Sequence, residues 1–387
     1  MSVTPTPPSF SRNRTFWFVV IAVLVVVATV ALVFKASSRM SDFEVIWRTA
    51  SRALAGESLY RPEDGHWLFK YLPVFAVLAM PIALLPLQVA KAIWFAATTA
   101  TLVLLLRIAP SLLPEQRKPR WVLLVATIIV MGKFYAHELV LGQTNLLLVT
   151  TVAMALLALK RQQEVLAGTL VVVAIILKPY ALILLPWLLA RRQRGSIASA
   201  AIGTMAALVA PVVRYGLATT VRLYKDWWHT VVTSTEPNLL NQDNVSWLAM
   251  YSRWFHPGGL AESLTIATVI FALAVVVYVY RLRDRLPFPE LLEASLLLTL
   301  MPLISPQGWD YVLLVATPAI ICLLNYEDRL SPVMRTLAVA AMGVVGLAIY
   351  DLLGRTAYHA FMRASGITLC FFIIIAALGA LRRRQVA

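Results

Sequence analysis

Apolar runs of membrane-spanning length, separated by short basic loops, constrain this chain more than any other feature. Residues Phe16–Phe34 are nearly all apolar. At about 1.5 Å rise per residue, a run of that length matches a hydrocarbon core of about 30 Å. Similar runs recur to the C-terminus. The chain is 60% hydrophobic and only 14% charged, whereas soluble domains carry about 25% charged residues. It therefore reads as an all-α, polytopic helical membrane protein. The net charge of +15 sits in short loops and at the C-terminus, which is the pattern of topogenic charge. No nucleic-acid partner is expected from it. Cys322 and Cys370 both lie inside apolar runs, which argues against a disulfide framework.

Arg12 and Arg14 precede the first run, so residues 1–15 are expected as a cytoplasmic tail. The first span then delivers Asp42 to the opposite face, at headgroup level. Its apolar core is too long for a signal peptide, and Lys35-Ala36-Ser37-Ser38 is a poor cleavage site, so it reads as an uncleaved anchor. Between Phe43 and Leu59, apolar residues fall at Phe43, Ile46, Trp47, Ala50 and Leu54, with Arg48, Arg52 and Glu57 on other faces. That spacing predicts an amphipathic helix in the outer interface, anchored by Trp47 and closed by Gly56. One membrane domain is expected over residues 16–381, with about twelve crossings, outer loops near 35–70 and 214–259, and a cytoplasmic tail at 382–387.

Residues 71–120 leave two paths open. Arg107, Arg117, Lys118 and Arg120 belong inside, but two full spans over Tyr71–Leu87 and Gln88–Arg107 would put them outside. Either Tyr71–Pro86 is re-entrant or interfacial, or a basic loop lies on the wrong side. Farther on, Lys160-Arg161 and Arg191-Arg192-Gln193-Arg194 flank one apolar interval. Both flanks can lie inside only if the chain goes out and back. Proline breaks a helix, so the hairpin tip falls at Lys178-Pro179.

On this layout the unusual polar groups gather at outer helix ends: Asp42, Glu44, Tyr71, Gln143, Asn145, Lys178, the Asn241–Ser246 stretch, and Trp309-Asp310. Each also has a plain structural reading. Lys178 can snorkel to headgroups, Gln143 and Asn145 can bond neighbouring helices, and Trp309 can join an aromatic belt. No glycine-rich phosphate loop follows a strand, and no paired-cysteine or HExxH metal set occurs. The five histidines are dispersed. No metal and no cofactor is expected, and no soluble nucleotide-binding domain is present to drive a pump.

Several stretches, taken in order, resemble one enzyme family. They are Ser41-Asp42-Phe43 with Ala55-Gly56-Glu57-Ser58-Leu59-Tyr60; Phe69-Lys70-Tyr71-Leu72-Pro73; and Gly142-Gln143-Thr144-Asn145. Then come Ala167-Gly168 leading to Lys178-Pro179-Tyr180, Asn241-Gln242-Asp243-Asn244-Val245-Ser246, and Ser305-Pro306-Gln307-Gly308-Trp309. Over about residues 40–325 the chain resembles the bacterial polyprenyl-phosphate-mannose-dependent mannosyltransferases of glycosyltransferase family 87. The resemblance implies the GT-C glycosyltransferase fold, in the bacterial inner membrane, with an extracytoplasmic active site. It implies a polyprenyl-phosphate-linked sugar donor and a glycolipid or glycan acceptor, both met among membrane lipids.

It further implies that Asp42 is the catalytic base, that Lys178 is the lysine of a lysine-proline motif, and that Trp309 is the tryptophan of a late motif. Relatives usually carry histidine two residues after that tryptophan, where this chain has Tyr311. Transfer from a lipid phosphate sugar needs a base for the acceptor hydroxyl and cations for the departing phosphate. Asp42 meets the first need, and Lys178 with Arg48 the second. Glu44, Tyr71, Gln143, Asn145, Trp247, Trp309 and Asp310 are the candidate sugar or acceptor contacts. A single displacement would invert the anomeric centre. The alternative is a transporter or flippase of lipid-linked sugars, which would need polar groups near the midplane, where these runs carry few charges.

Overall fold

The computed structural model describes residue 37, residues 39–283 and residues 288–384. The N-terminal tail, the Phe16–Phe34 span with Arg12 and Arg14, and residues 385–387 of the second tail lie outside the described residues. An amphipathic α1 (Ser41–Ala55) and a short apolar α2 (Pro73–Ala83) come first. They are followed by α3 (Leu87–Ile108), α4 (Arg120–Leu141), α5 (Asn145–Lys160) and α6 (Glu164–Leu177). After a 3-10 turn at Pro179–Ile183 come α7 (Leu184–Ala190), α8 (Arg194–Val209), α9 (Val212–Thr233), α10 (Thr235–Asn238), α11 (Trp247–Phe255) and α12 (Gly259–Arg281). The last third holds α13 (Pro289–Ile304), a 3-10 segment at Asp310–Ala316 that runs into α14 (Thr317–Tyr326), then α15 (Pro332–Leu347), α16 (Tyr350–Arg363) and α17 (Gly366–Arg384).

Local rules explain the first of these. Gly56 adopts a left-handed conformation (φ 73°) just past α1, and its N–H bonds back to the Ala53 carbonyl. Glycine bears that conformation without strain. Trp47 does not face the headgroups freely: its indole N–H donates to the Leu85 carbonyl at 3.0 Å and pins α1 to the turn after α2.

Among the described residues, four helical stretches are long and apolar enough to cross a membrane: Leu87–Leu112, Arg120–Leu141, Gly259–Arg281 and Asp310–Arg329. The number is six if two bent pairs each count as one span, residues 194–238 bent by 84° and residues 332–363 bent by 105°. The remaining expected crossings fall on shorter apolar helices or outside the described residues. Residues 214–259, expected as a polar loop, are largely helical. The reason is a stripe of exposed apolar residues at helical spacing along α9, namely Val213, Leu217, Val221, Trp228 and Val232. The polar residues between them mask that periodicity in the sequence.

The two paths left open over residues 71–120 reduce to one. At 11 residues, α2 extends about 16 Å and is too short to cross. Only α3 has spanning length between α1 and the basic loop after it. That loop meets the other basic ends. Arg117 pairs with Asp328 at 2.5 Å and Lys118 with Glu327 at 2.6 Å. Lys160 donates to the Ser111 and Leu113 carbonyls at 2.9 and 3.1 Å. The basic loops therefore share one end of the bundle.

At the centre, α13 is buried along its whole length apart from Ile304. A helix apolar all round belongs inside. By contrast, α12 exposes Ile266, Ile270, Phe271, Leu273 and Val277, an apolar exterior of the kind a bilayer covers.

Candidate active site

At the end of the bundle opposite the basic loops, a cavity of about 650 Å³ opens between α1, the loop before α2, the break after α6, α9 and the segment after α13. That volume lies within the range of small-molecule sites. Asp42 and Glu44 both sit in the first turn of α1, where the helix dipole favours carboxylates. Two residues turn about 200° around a helix, so they face different ways. Asp42 lines the cavity. Glu44 points away and pairs with Lys91 at 3.2 Å.

Gln143 joins the polar groups of the cavity. It follows Gly142, which ends α4 with φ 73°. A Cβ on Gly142 would stand 2.6 Å from Met40 Cε and 2.7 Å from Phe43 Cβ. Only glycine lets α1 lie against the end of α4. From there the Gln143 amide nitrogen Nε2 donates to Asp42 Oδ2 at 2.5 Å and lies 3.4 Å from the Tyr311 hydroxyl. Its Oε1 accepts from the Tyr71 hydroxyl at 2.9 Å and from Lys178 Nζ at 3.0 Å.

This gives a first prediction. Gly142→Ala should cost about 1–3 kcal/mol of stability through overpacking and backbone strain, and should lower turnover by displacing α1. Gly343→Ala is the control, because nothing lies within 4 Å of its Cβ position in α15. It should be neutral or slightly stabilising. Thermal unfolding in detergent, read beside the transfer rate, separates the two variants.

Lys178 is extended (φ −152°, ψ 119°) because the residue before a proline is pushed out of the helical region. Its ammonium lies 4.5 Å above the Tyr71 ring centroid. Burial lowers the Lys178 pKa to about 8, against the opposing pull of Glu138 and Asp42. A second ammonium, Lys70, donates to Gln307 Oε1 at 2.6 Å. Burial, reinforced by the charge of Lys178, brings Lys70 to about 8 as well. The backbone around it is clamped by Trp227 Nε1 donating to the Lys70 carbonyl at 3.0 Å and by the Tyr60 hydroxyl donating to the Tyr71 carbonyl at 2.7 Å. Burial raises the pKa of Asp42, and the hydrogen bond from Gln143 and the charge of Lys178 only partly offset it.

Behind the wall, the fully buried Glu138 accepts from Asn145 Nδ2 at 2.8 Å and from the Leu146 backbone N–H at 3.0 Å. It thereby caps the start of α5. The Tyr180 hydroxyl donates to Asn145 Oδ1 at 2.6 Å, so Asn145 holds a residue of the wall without lining it. Trp309 is presented by an antiparallel bridge to Asn244. There the Val245 N–H donates to the Gly308 carbonyl at 2.6 Å and the Asp310 N–H to the Asp243 carbonyl at 2.8 Å. A Cβ on Gly308 would overlap the Pro302 carbonyl at 1.8 Å. Asp310 is buried with Oδ1 3.2 Å from His137 Nδ1, and the His137 ring meets Tyr311 edge-on with centroids 5.1 Å apart.

Of the residues singled out from sequence, Asp42, Tyr71, Gln143, Lys178 and Trp309 line this one cavity. Others stand elsewhere. Arg48 donates to the Trp67 carbonyl at 3.1 Å and lies 3.8 Å from Asp64, a carboxylate that Arg52 also holds through two bonds of 2.6 and 2.7 Å. Its charge is committed to the loop, and Lys70 is the second cation of the wall. Trp247 is fully buried and stacked on Phe372, with centroids 5.4 Å apart. Asn145 and Asp310 sit behind the wall, and Glu44 faces away. Sequence reasoning gave no role to Lys70, His137, Tyr180, Gln307 or Tyr311, all of which line the cavity. Lys70 and Tyr180 adjoin Tyr71 and Lys178-Pro179, and His137 lies one helical turn before Leu141 on the same face; those adjacencies were the available signals.

Comparison with curated proteins and with solved structures returns no match. A family model, described as glycosyltransferase family 87, matches residues 69–306. The matched region takes in Lys70, Tyr71, Gln143, Lys178 and Asp243 of the cavity; it begins after Asp42 and stops before Trp309. It spans well over half of the sequence and carries most of the polar wall just described, and on that basis the chain belongs to glycosyltransferase family 87 and is a glycosyltransferase.

Proposed function

We propose that this glycosyltransferase moves a hexose, specifically mannose, from a polyprenyl-phosphate donor to a lipid or glycan acceptor by one inverting displacement. The observation that carries the reading is the Asp42–Gln143–Lys178 chain with Lys70 beside it, one carboxylate and two ammonium groups around a single cavity. The acceptor hydroxyl attacks the anomeric carbon and gives its proton to Asp42. The bond from that carbon to the phosphate oxygen breaks, and the phosphate leaves with the electron pair, held by Lys178 and Lys70. A carboxylate made more basic by burial is suited to the first task. Trp227, Trp228, Val231 and Val232 form an apolar side of the cavity suited to a lipid chain. Family membership sets aside the transporter or flippase alternative. A donor already activated on lipid also fits the absence of a recognisable nucleotide-binding motif in the sequence.

The direct test is to incubate the purified protein with polyprenyl-phosphate-mannose and a glycolipid acceptor. Released polyprenyl phosphate and a mannosylated acceptor are expected. Full retention of the donor, with folded protein, counts against the reading.

The clustering of the basic loops away from the cavity supports, by the positive-inside rule, an extracytoplasmic cavity, as proposed for a bacterial inner membrane. Single cysteines at His66 and Trp228, in a background lacking Cys322 and Cys370, should react with an impermeant thiol reagent in intact cells, and one at Arg117 should not. The reverse pattern would invert the orientation.

The lysines set an alkaline limit. Both must be protonated to hold phosphate, and both have pKa values near 8. The specificity constant kcat/KM for the donor should therefore fall as pH rises through about 8. A profile flat to pH 10 would remove the lysines from donor binding.

A further inference from the structure

Charge is divided along the cavity. The charge of Lys178 bears on Lys70, and both lysines feel Asp42. A separate group, Asp243 with Asp310, His137, Arg253 and His359, forms its own electrostatic neighbourhood. Asp42 feels both Lys178 and His137, and so lies between the two ends.

The acidic end is built for a ligand rather than for packing. His137 lines the cavity, and its Nδ1 faces the buried Asp310 Oδ1 at 3.2 Å. The edge-on contact with Tyr311 fixes the ring plane. In the neutral ring with its proton on Nδ1, toward that carboxylate, Nε2 is left as an acceptor. Nε2 makes no hydrogen bond with any described residue. The Asp243 carboxylate also lines the cavity and accepts no hydrogen bond from a described residue. Its neighbour Arg253 is engaged by Ser365 Oγ at 3.0 Å, the Asn241 carbonyl at 2.8 Å and the Asn244 carbonyl. An imidazole nitrogen and an open carboxylate are both suited to accept from sugar hydroxyls, and two carboxylates repel an anion.

We infer that the His137–Asp310–Asp243 end is the acceptor subsite, that it takes an uncharged sugar, and that His137 Nε2 accepts from a hydroxyl next to the one that reacts. This rests on the proposed transferase reading and assigns the acceptor's place within it. His137 thereby orients the sugar so that the reacting hydroxyl keeps its one proton for Asp42. The hydroxyl oxygen then bonds to the anomeric carbon as the carbon–oxygen bond to phosphate breaks, the proton going to Asp42 and the electron pair to the phosphate. Asp310 is a positioning residue that acts through the imidazole.

The test uses octyl α-mannopyranoside as acceptor probe and farnesyl-phosphoryl-mannose as donor, with the full-length protein. His137→Gln should raise the half-saturating octyl mannoside concentration tenfold or more and change that of the donor by less than twofold. An unchanged acceptor requirement, or a shift confined to the donor, overturns the assignment. A second measurement needs neither turnover nor a variant. Octyl mannoside, with farnesyl phosphate present, should slow carbethoxylation of His137 by diethyl pyrocarbonate at least fivefold in the wild-type protein, relative to the exposed His256. Equal modification with and without the glycoside overturns the subsite. If transfer is never seen yet His137 is protected, the transferase reading with this donor fails and the sugar subsite stands.

Discussion

Asp42→Asn is expected to lower turnover by a factor on the order of 10² or more and to leave donor binding intact. Asparagine has nearly the same shape, and its carbonyl oxygen can still accept the Gln143 N–H that now reaches Asp42 Oδ2 at 2.5 Å. Gln143 therefore stays oriented toward Tyr71 and Lys178, and only the proton-accepting charge is lost. Glu44→Gln is the control. It breaks a pair outside the cavity between the half-exposed Glu44 and the buried Lys91; leaving that ammonium without its carboxylate costs stability, but turnover per folded molecule should stay close to wild type. The pH profile supplies a second check on the same residue. Burial raises the Asp42 pKa, so activity should be lost as pH falls through a value above that of an ordinary aspartate. The Asn variant should lack that acid limb. Near wild-type turnover in Asp42→Asn, with a loss in Glu44→Gln, would reassign the base.

Lys178→Met is expected to weaken donor binding by roughly 10- to 100-fold, the equivalent of one charge-assisted hydrogen bond at about 1.5–3 kcal/mol. Acceptor binding should change little. Methionine keeps the length and apolar body of the side chain above Tyr71, so the loss reports on charge. Burying an ammonium is costly, so thermal stability should hold or rise. The variant also carries a signature that a merely structural lysine would not produce. The charge of Lys178 is one of the two causes that lower Lys70. Removing it should move the alkaline limb of kcat/KM upward from about pH 8. Unchanged donor affinity and an unmoved limb would leave Lys178 as a strut for Gln143 and Tyr71.

What could be read from the sequence follows from where the deciding forces act. Gly56 ends α1 and Lys178 is extended because left-handed backbone and proline act locally, and both features are plain in the residues themselves. Asp42, Gln143 and Lys178 stand out for the same reason, each at a helix end or break. The number of crossings is less legible. Hydropathy does not distinguish the 11-residue α2 from a span when α3 follows within a few residues, and the 84° bend after α8 is invisible to any windowed average. The second cation was hidden too. Arg48 offers a charge at the right level, but Asp64 claims it from 16 residues away, whereas Lys70 is positioned by Trp227 across 157 residues. His137 is one of five scattered histidines until tertiary folding sets it against Asp310, 173 residues later.

The most direct test of the central claim, that Asp42 and the two lysines act on one lipid-borne donor, is the choice of donor itself. Protein purified into sealed proteoliposomes would be offered labelled mannose either on polyprenyl phosphate or on a nucleoside diphosphate, with the same glycolipid acceptor. The account predicts labelled product from the polyprenyl phosphate donor alone, formed on the order of 10² or more slower in Asp42→Asn and restored toward wild type at high donor concentration in Lys178→Met. Product from the nucleotide sugar, with the lipid donor inert, would contradict it.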